Sequence, residues 1–362
     1  MAIVLADDAT AAMDIEVANA GSSSNRNRAW ESALPDIPTV CAVGLTAGLW
    51  TVMIHEVGGH ALVGGVFVGQ PVEFFNSVFV VTTPPPESEA SKARWIKAAG
   101  SFVNALLAIL LWVVYIRKER AGAFKSSEGG RSAAAYGLFF FAIYNLGLSS
   151  GYPLVGLFGV ADWSHVWGTV NVALANGTIV PSPALEGGGT VQGFLVAVSA
   201  AAFMYFFYLV IYHMEAFVAS KQKGSARIKQ FAALCWIPYF GVAVLKMVAA
   251  AISPCSGYEV KTFLYVMSLV GALGYVIPLL YMPLMAMCCL TGSEVRSSME
   301  KMGGGVYAPY EATKRWVGCY DPVPDGPVVP RSWPWIGIGA VTVVVWCCLA
   351  IGFGQVDCTM KV

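Results

Sequence analysis

The chain has 362 residues, of which 57% are hydrophobic and 12% charged, and its mean hydropathy is +0.63. Soluble domains carry about 25% charged residues, so this composition excludes an ordinary soluble globular protein. A formal net charge of zero argues against nucleic acid as a partner.

Residues 1–36 form a polar tail holding Asp7, Asp8, Asp14, Glu16 and Asp36, with no basic stretch followed by a short apolar core. That pattern is not a cleavable signal. Apolar runs at about 38–69, 96–116, 133–148, 191–213, 229–252, 262–289 and 334–354 predict seven membrane spans, since about 20 apolar residues cross a hydrocarbon core of about 30 Å. The expected fold is therefore an all-α polytopic membrane protein of about seven transmembrane helices. A short β-strand segment follows the first span, where Val66 to Thr83 is rich in Val and Phe and stops at Pro84-Pro85-Pro86. Gly44 and Gly48 make a small-xxx-small packing surface on span one. Pro238, Pro278 and Pro283 should kink spans five and six. Gly147 to Gly159 reads as broken or re-entrant backbone at the end of span three.

Basic residues set the orientation. Arg117, Lys118, Arg120, Lys125 and Arg131 follow span two. Lys221, Lys223, Arg227 and Lys229 follow span four, and Arg296, Lys301, Lys314, Arg315 and Arg331 follow span six. These loops are expected on the cytoplasmic side together with the N-terminus. Lys92, Arg94 and Lys97, in the loop before span two, are a partial exception. The sequon Asn176-Gly177-Thr178 then falls outside and offers a glycosylation candidate. Cys255 and Cys358 share that side and could pair.

Span one carries His55-Glu56-Val57-Gly58-Gly59-His60. Ionisable groups inside a membrane helix are costly and mark functional sites. Imidazoles ligate zinc, and a neighbouring carboxylate can act as base on zinc-bound water. A polar cluster holding spans together is the alternative. The segment resembles the H-E-x-x-H helix of site-2 proteases, multi-span zinc enzymes that cut proteins within or near the bilayer. Ala99-Gly100-Ser101-Phe102-Val103-Asn104 is similar to the family's Gly-Pro-x-x-Asn element, with Ser101 where Pro is usual. Asn145 through Pro153 and Leu154 to Asp162 looks like a loosened form of its Asn…Pro…Leu-Asp-Gly segment. The resemblance covers residues 45–165. It implies a metalloprotease-like core over 37–165, with 166–362 supplying additional helices and a C-terminal tail. It also implies Zn²⁺ held by His55, His60 and Asp162, Glu56 as the catalytic base, and a transmembrane protein or peptide as substrate in the lipid bilayer.

The histidines stand five apart rather than four. On a regular α-helix such residues diverge by about 140°, so the motif requires a one-residue π-bulge, which i→i+5 closure supplies. Gly58-Gly59 eases that departure. Glu56 and His60, four apart, could instead bind a metal together, leaving His55 behind them. His165, three residues after Asp162, is a substitute ligand, a substrate-polarising group or a loop histidine. Asn145 either bonds substrate backbone or packs helices. His213 and Glu215 read as interfacial. The basic loops place the centre nearer the exterior, whereas the family generally holds its zinc nearer the cytosol. Two other classes stay open: a catalytically inactive relative acting as scaffold or binding protein, and a transporter using a His/Glu proton path. For the latter, Lys246 is the one clear further ionisable group in spans four to six.

Overall fold

Asp36 starts the first helix, its Oδ2 accepting from the Thr39 amide at 3.1 Å and the Thr39 hydroxyl at 2.7 Å. Such a cap satisfies amides that have no partner within the helix. The computed structural model describes residues 34–77, 79–124, 131–159, 162–182, 188–214, 217–218, 224–252 and 329–354. Helix α1 (Ile37–Met53) continues without a break as a π-helix (Ile54–Phe67). Strands β1 (Val72–Phe75) and β2 (Val80–Thr82) follow, then α2 (Ala90–Arg120), α3 (Ala133–Gly156) and the short α4 (Asp162–Trp167). After them come β3 (Val170–Ala173), β4 (Ile179–Ser182), α5 (Gly188–Met214), α6 (Gly224–Ile252), α7 (Trp333–Ala350) and β5 (Phe353–Gly354).

Among the described residues, four helical stretches are long and apolar enough to cross a membrane: Ile37–Phe67, Glu87–Arg120, Ala133–Gly156 and Trp333–Ala350. The fold is thus mostly helical and compatible with a membrane protein. The seven spans expected from hydropathy are not all borne out. Spans four and five correspond to α5 and α6, whose described apolar stretches, Gly189–Tyr205 and Lys229–Leu245, fall short of 18 residues. Span six, Cys255 and Cys358 lie outside the described residues, as do most of the basic residues flanking spans four and six.

A face-by-face division on α2 matches that reading. Gly100, Ser101, Asn104 and Ala108 are buried, while Trp95, Phe102, Leu106, Ile109 and Leu110 are exposed on the outer side. An apolar stripe of this length suits lipid better than water. Inside, Val40, Val43 and Ala47 of α1 meet Tyr136, Phe139, Phe140 and Ile143 of α3 and Leu234 of α6. Gly44 and Gly48 do form a packing surface. A Cβ on Gly44 would lie 2.1 Å from Pro238 Cβ, and one on Gly48 would lie 2.4 Å from Val242. Pro238, without an N–H, cannot satisfy the carbonyl four residues back. The Tyr136 hydroxyl donates to that Leu234 oxygen at 2.6 Å instead.

Three expectations need correction. The stretch from Gly147 is not broken: α3 runs on to Gly156 through Pro153, with Ser149 and Ser150 hydroxyls donating back to Leu146 O at 3.0 and 2.6 Å. Its small residues serve close approach. A Cβ on Gly151 would lie 3.3 Å from the Phe203 ring and one on Gly156 2.5 Å from Trp163 Cβ. The π geometry is not a single bulge but spans fourteen residues. The β content also exceeds one short segment. β1 and β2 fall within the Val- and Phe-rich run that predicted strand and pair antiparallel, and β5 adds to the other edge of β1, giving the order β2-β1-β5. A second antiparallel hairpin, β3–β4, is tied to the first through Ala173 N donating to Pro85 O at 2.8 Å. Exposed Asn176 sits at its turn, Oδ1 accepting from Thr178 N at 3.0 Å.

Candidate metal centre

The π-helix puts His55 and His60 one i→i+5 repeat apart, so their imidazoles stand together. The ring centroids are 4.9 Å apart, with planes at 77°. Both are nearly fully buried. Asp162 arrives from the start of α4, and its Oδ2 lies 3.4 Å from His55 Nε2 and 3.2 Å from His60 Nε2. Glu56 Oε2 is 4.0 Å from His60 Nε2, and the ligand atoms of His55, Glu56 and His60 all lie within 4.8 Å of one another. A His55–Glu56–His60 group could therefore hold a metal ion, and Asp162 adds a second carboxylate to it.

Close helix crossing makes this possible. Gly59 faces Gly100 so tightly that a Cβ on Gly59 would stand 2.3 Å from Gly100 Cα, and a Cβ on Gly100 would stand 2.4 Å from His55 Nε2. Gly59 thus serves approach to α2 as well as backbone freedom. From α2, Ile96 O accepts from His60 Nδ1 at 2.7 Å, which leaves Nε2 with its lone pair toward Asp162. Asn104 places its amide 3.1 Å from His55 Nδ1, and its Oδ1 has no hydrogen-bond partner. Turning that amide over presents the oxygen to Nδ1, makes Nδ1 the donor and frees Nε2 as an acceptor. A ring nitrogen fixed by a carbonyl or amide, with the other turned to a cation, is the usual arrangement of metal-bound histidine.

Three ligands tetrahedrally disposed at the usual zinc–nitrogen and zinc–oxygen lengths of about 2.0–2.1 Å stand about 3.3–3.4 Å apart. The 3.2 and 3.4 Å separations match that spacing and are long for charge-assisted hydrogen bonds, about 2.7–2.9 Å. The two separations on Asp162 are thus those of donors arranged around a small metal ion.

Helix α4 is anchored from both sides. Trp163 Nε1 donates to Ser101 Oγ at 2.8 Å, Trp167 Nε1 to Pro153 O at 3.2 Å, and Arg94 Nη1 to the carbonyls of His165, Val166 and Gly168 at 3.0, 3.1 and 2.7 Å. Burial opposes ionisation of Asp162, but when the two imidazoles are protonated the charge of His60, hydrogen bonds from both rings and the charge of Lys97 outweigh it. Its carboxyl is held well below the usual range.

Beside the centre lies a cavity of about 340 Å³, lined by His60, Lys97 and His165 together with residues of β2, β3 and the Pro84-Pro85 turn. Its size is at the lower end of ligand pockets, about 300–1,000 Å³. His165 therefore faces the cavity, while His55, His60 and Asp162 converge beside it. Burial and the neighbouring Lys97 push its imidazole below the ordinary value, so it is neutral at pH 7. Asn145 is placed differently, its Nδ2 donating to Thr51 Oγ1 at 2.8 Å and Phe141 O at 2.9 Å between α1 and α3.

Sequence reasoning missed Arg94, Lys97 and Tyr152, whose ring lies 5.0 Å from that of His55. For α2 a signal existed: Lys97, Gly100, Ser101 and Asn104 recur at i, i+3, i+4 and i+7, one helical face in an otherwise apolar run. No protein-family model, curated protein or solved structure matches the chain.

Proposed function

We propose that the protein is a membrane-embedded zinc peptidase of the site-2 type that hydrolyses peptide bonds of membrane-protein substrates. The observation that carries this reading is the meeting of His55 Nε2 and His60 Nε2 on Asp162 Oδ2, at 3.4 and 3.2 Å, from segments about a hundred residues apart. A carboxylate, Glu56, stands next to the set without being needed to complete it.

His55, His60 and Asp162 would hold the ion, which when bound supplies Lewis acidity, acidifying water and polarising a carbonyl. The remaining work belongs to side chains. Glu56 takes a proton from the attacking water as its oxygen bonds to the carbonyl carbon. It returns that proton to the amide nitrogen as the C–N bond breaks, leaving a carboxylic acid and an amine. The apolar surroundings of α1 and α2 keep bulk water away and strengthen each of these charge interactions.

Glu56→Gln tests the assignment in mixed micelles, with a fluorescently tagged single-span reporter as substrate. The variant should retain one zinc per chain and cut at least about 100-fold more slowly, the span usual for loss of a general base being about 10²–10⁴. Undiminished cleavage overturns the mechanism. Loss of zinc supports the second reading, favoured by the mutual 4.8 Å limit on His55, Glu56 and His60, in which Glu56 is itself a ligand.

A further inference from the structure

Resting on that peptidase reading, we infer that Lys97 is a catalytic residue. Its ammonium binds the carbonyl oxygen of the scissile peptide bond and stabilises the negative charge that develops there. Among the described residues lining the cavity it is the only lysine or arginine. It sits next to Ile96, whose carbonyl holds His60 at 2.7 Å, so the α2 backbone fixes the ammonium relative to the centre. The side chain is about a quarter exposed and touches both centre and cavity.

Its existing contacts leave it able to act. The nearest anion is Asp162 Oδ1 at 3.7 Å, beyond the about 2.7–2.9 Å of a charge-assisted hydrogen bond. The other oxygen, Oδ2, is the one facing the imidazoles. Arg94, one turn earlier on α2, is by contrast committed to three carbonyls of the α4 end. Lys97 is thus the cation positioned for an incoming oxygen.

His165 complements it on the same cavity wall. With Nδ1 donating to Thr169 O at 3.2 Å, its Nε2 is an acceptor. A peptide unit offers one C=O and one N–H, and the wall offers a donor and an acceptor. When the water oxygen bonds to the carbonyl carbon, the C=O π pair moves onto the oxygen facing Lys97. That charge returns to reform the carbonyl as the C–N bond breaks, and Lys97 stays protonated throughout. Removing one donor to such an oxyanion costs about 10²–10³ in kcat.

The test uses the full chain, zinc-loaded in mixed micelles, with the same tagged single-span reporter. Zinc per chain, KM and kcat per bound zinc are measured for wild type, Lys97→Met and Lys97→Arg. Lys97→Met should keep its zinc and lose about 10²–10³ in kcat with little change in KM, and Lys97→Arg should restore a large part of the loss. Zinc retention shows that the variant is folded at the site. Unchanged kcat per zinc overturns the inference. So does activity that falls only in step with lost zinc, which would make Lys97 a support for Asp162. Failure of the peptidase reading looks different: a wild type that does not cut, or Glu56→Gln cutting as fast.

Discussion

Asp162→Ala is expected to weaken zinc binding by more than about 100-fold and to abolish reporter cleavage while the helices stay assembled. Losing a group that merely orients a ligand typically costs about 10–100-fold in metal affinity, and on the proposed assignment Asp162, 3.2 and 3.4 Å from two imidazoles, is itself a ligand. Assembly survives because α4 is held by backbone and neighbouring side chains: Trp163 on Ser101, Trp167 on Pro153 and Arg94 on three carbonyls. None of these bonds involves the Asp162 carboxylate. Titration of zinc against a chromophoric chelator measures the effect. Wild-type affinity in the variant would transfer the site to His55, Glu56 and His60 alone.

Gly100→Ala should be nearly as severe, although it adds a single methyl group to a residue with no functional atoms. The new carbon would lie 2.4 to 2.6 Å from three atoms of the His55 ring, so the imidazole must swing away from Asp162. Because the opposing residue is Gly59, whose own Cβ would strike the Gly100 backbone, the helices cannot easily separate to make room. Zinc affinity should fall about 100-fold or more, with the far-ultraviolet circular dichroism unchanged. Ala108, also buried on α2, offers a control: Ala108→Ser should bind zinc as wild type does. Equal zinc affinity in Gly100→Ala would show that His55 is not held where the crossing puts it.

How much of this was legible in the sequence differs by feature. His55, Glu56 and His60 stand out because charge is scarce in apolar runs, and their five-residue spacing demands π geometry on helical arithmetic alone. The fourteen-residue extent of that geometry has no such local signature. Within it Gly59 meets Gly100 of α2, a contact between segments that a linear reading does not contain. Asp162 was reachable through chain order, since two full crossings return the chain to the same end of the helices. The continuation of α3 past Gly147 was misread because glycine and proline usually break helices. Here the glycines accept Phe203 and Trp163 against the backbone, and helix–helix packing outweighs local propensity. Arg94 and Lys97 were counted with the topology-setting charges of the loop before span two. Both are engaged at the site. The β3–β4 hairpin carries Asn176-Gly177 at its turn, but its pairing beside Pro85 is a tertiary fact.

The most direct test is zinc analysis of the purified full chain after exposure to zinc and removal of loosely bound ion, joined to X-ray absorption at the zinc edge. One zinc per chain is expected, with two imidazole nitrogens and carboxylate oxygen at about 2.0–2.1 Å. A folded chain that retains no zinc, or holds it through sulfur, would contradict the account.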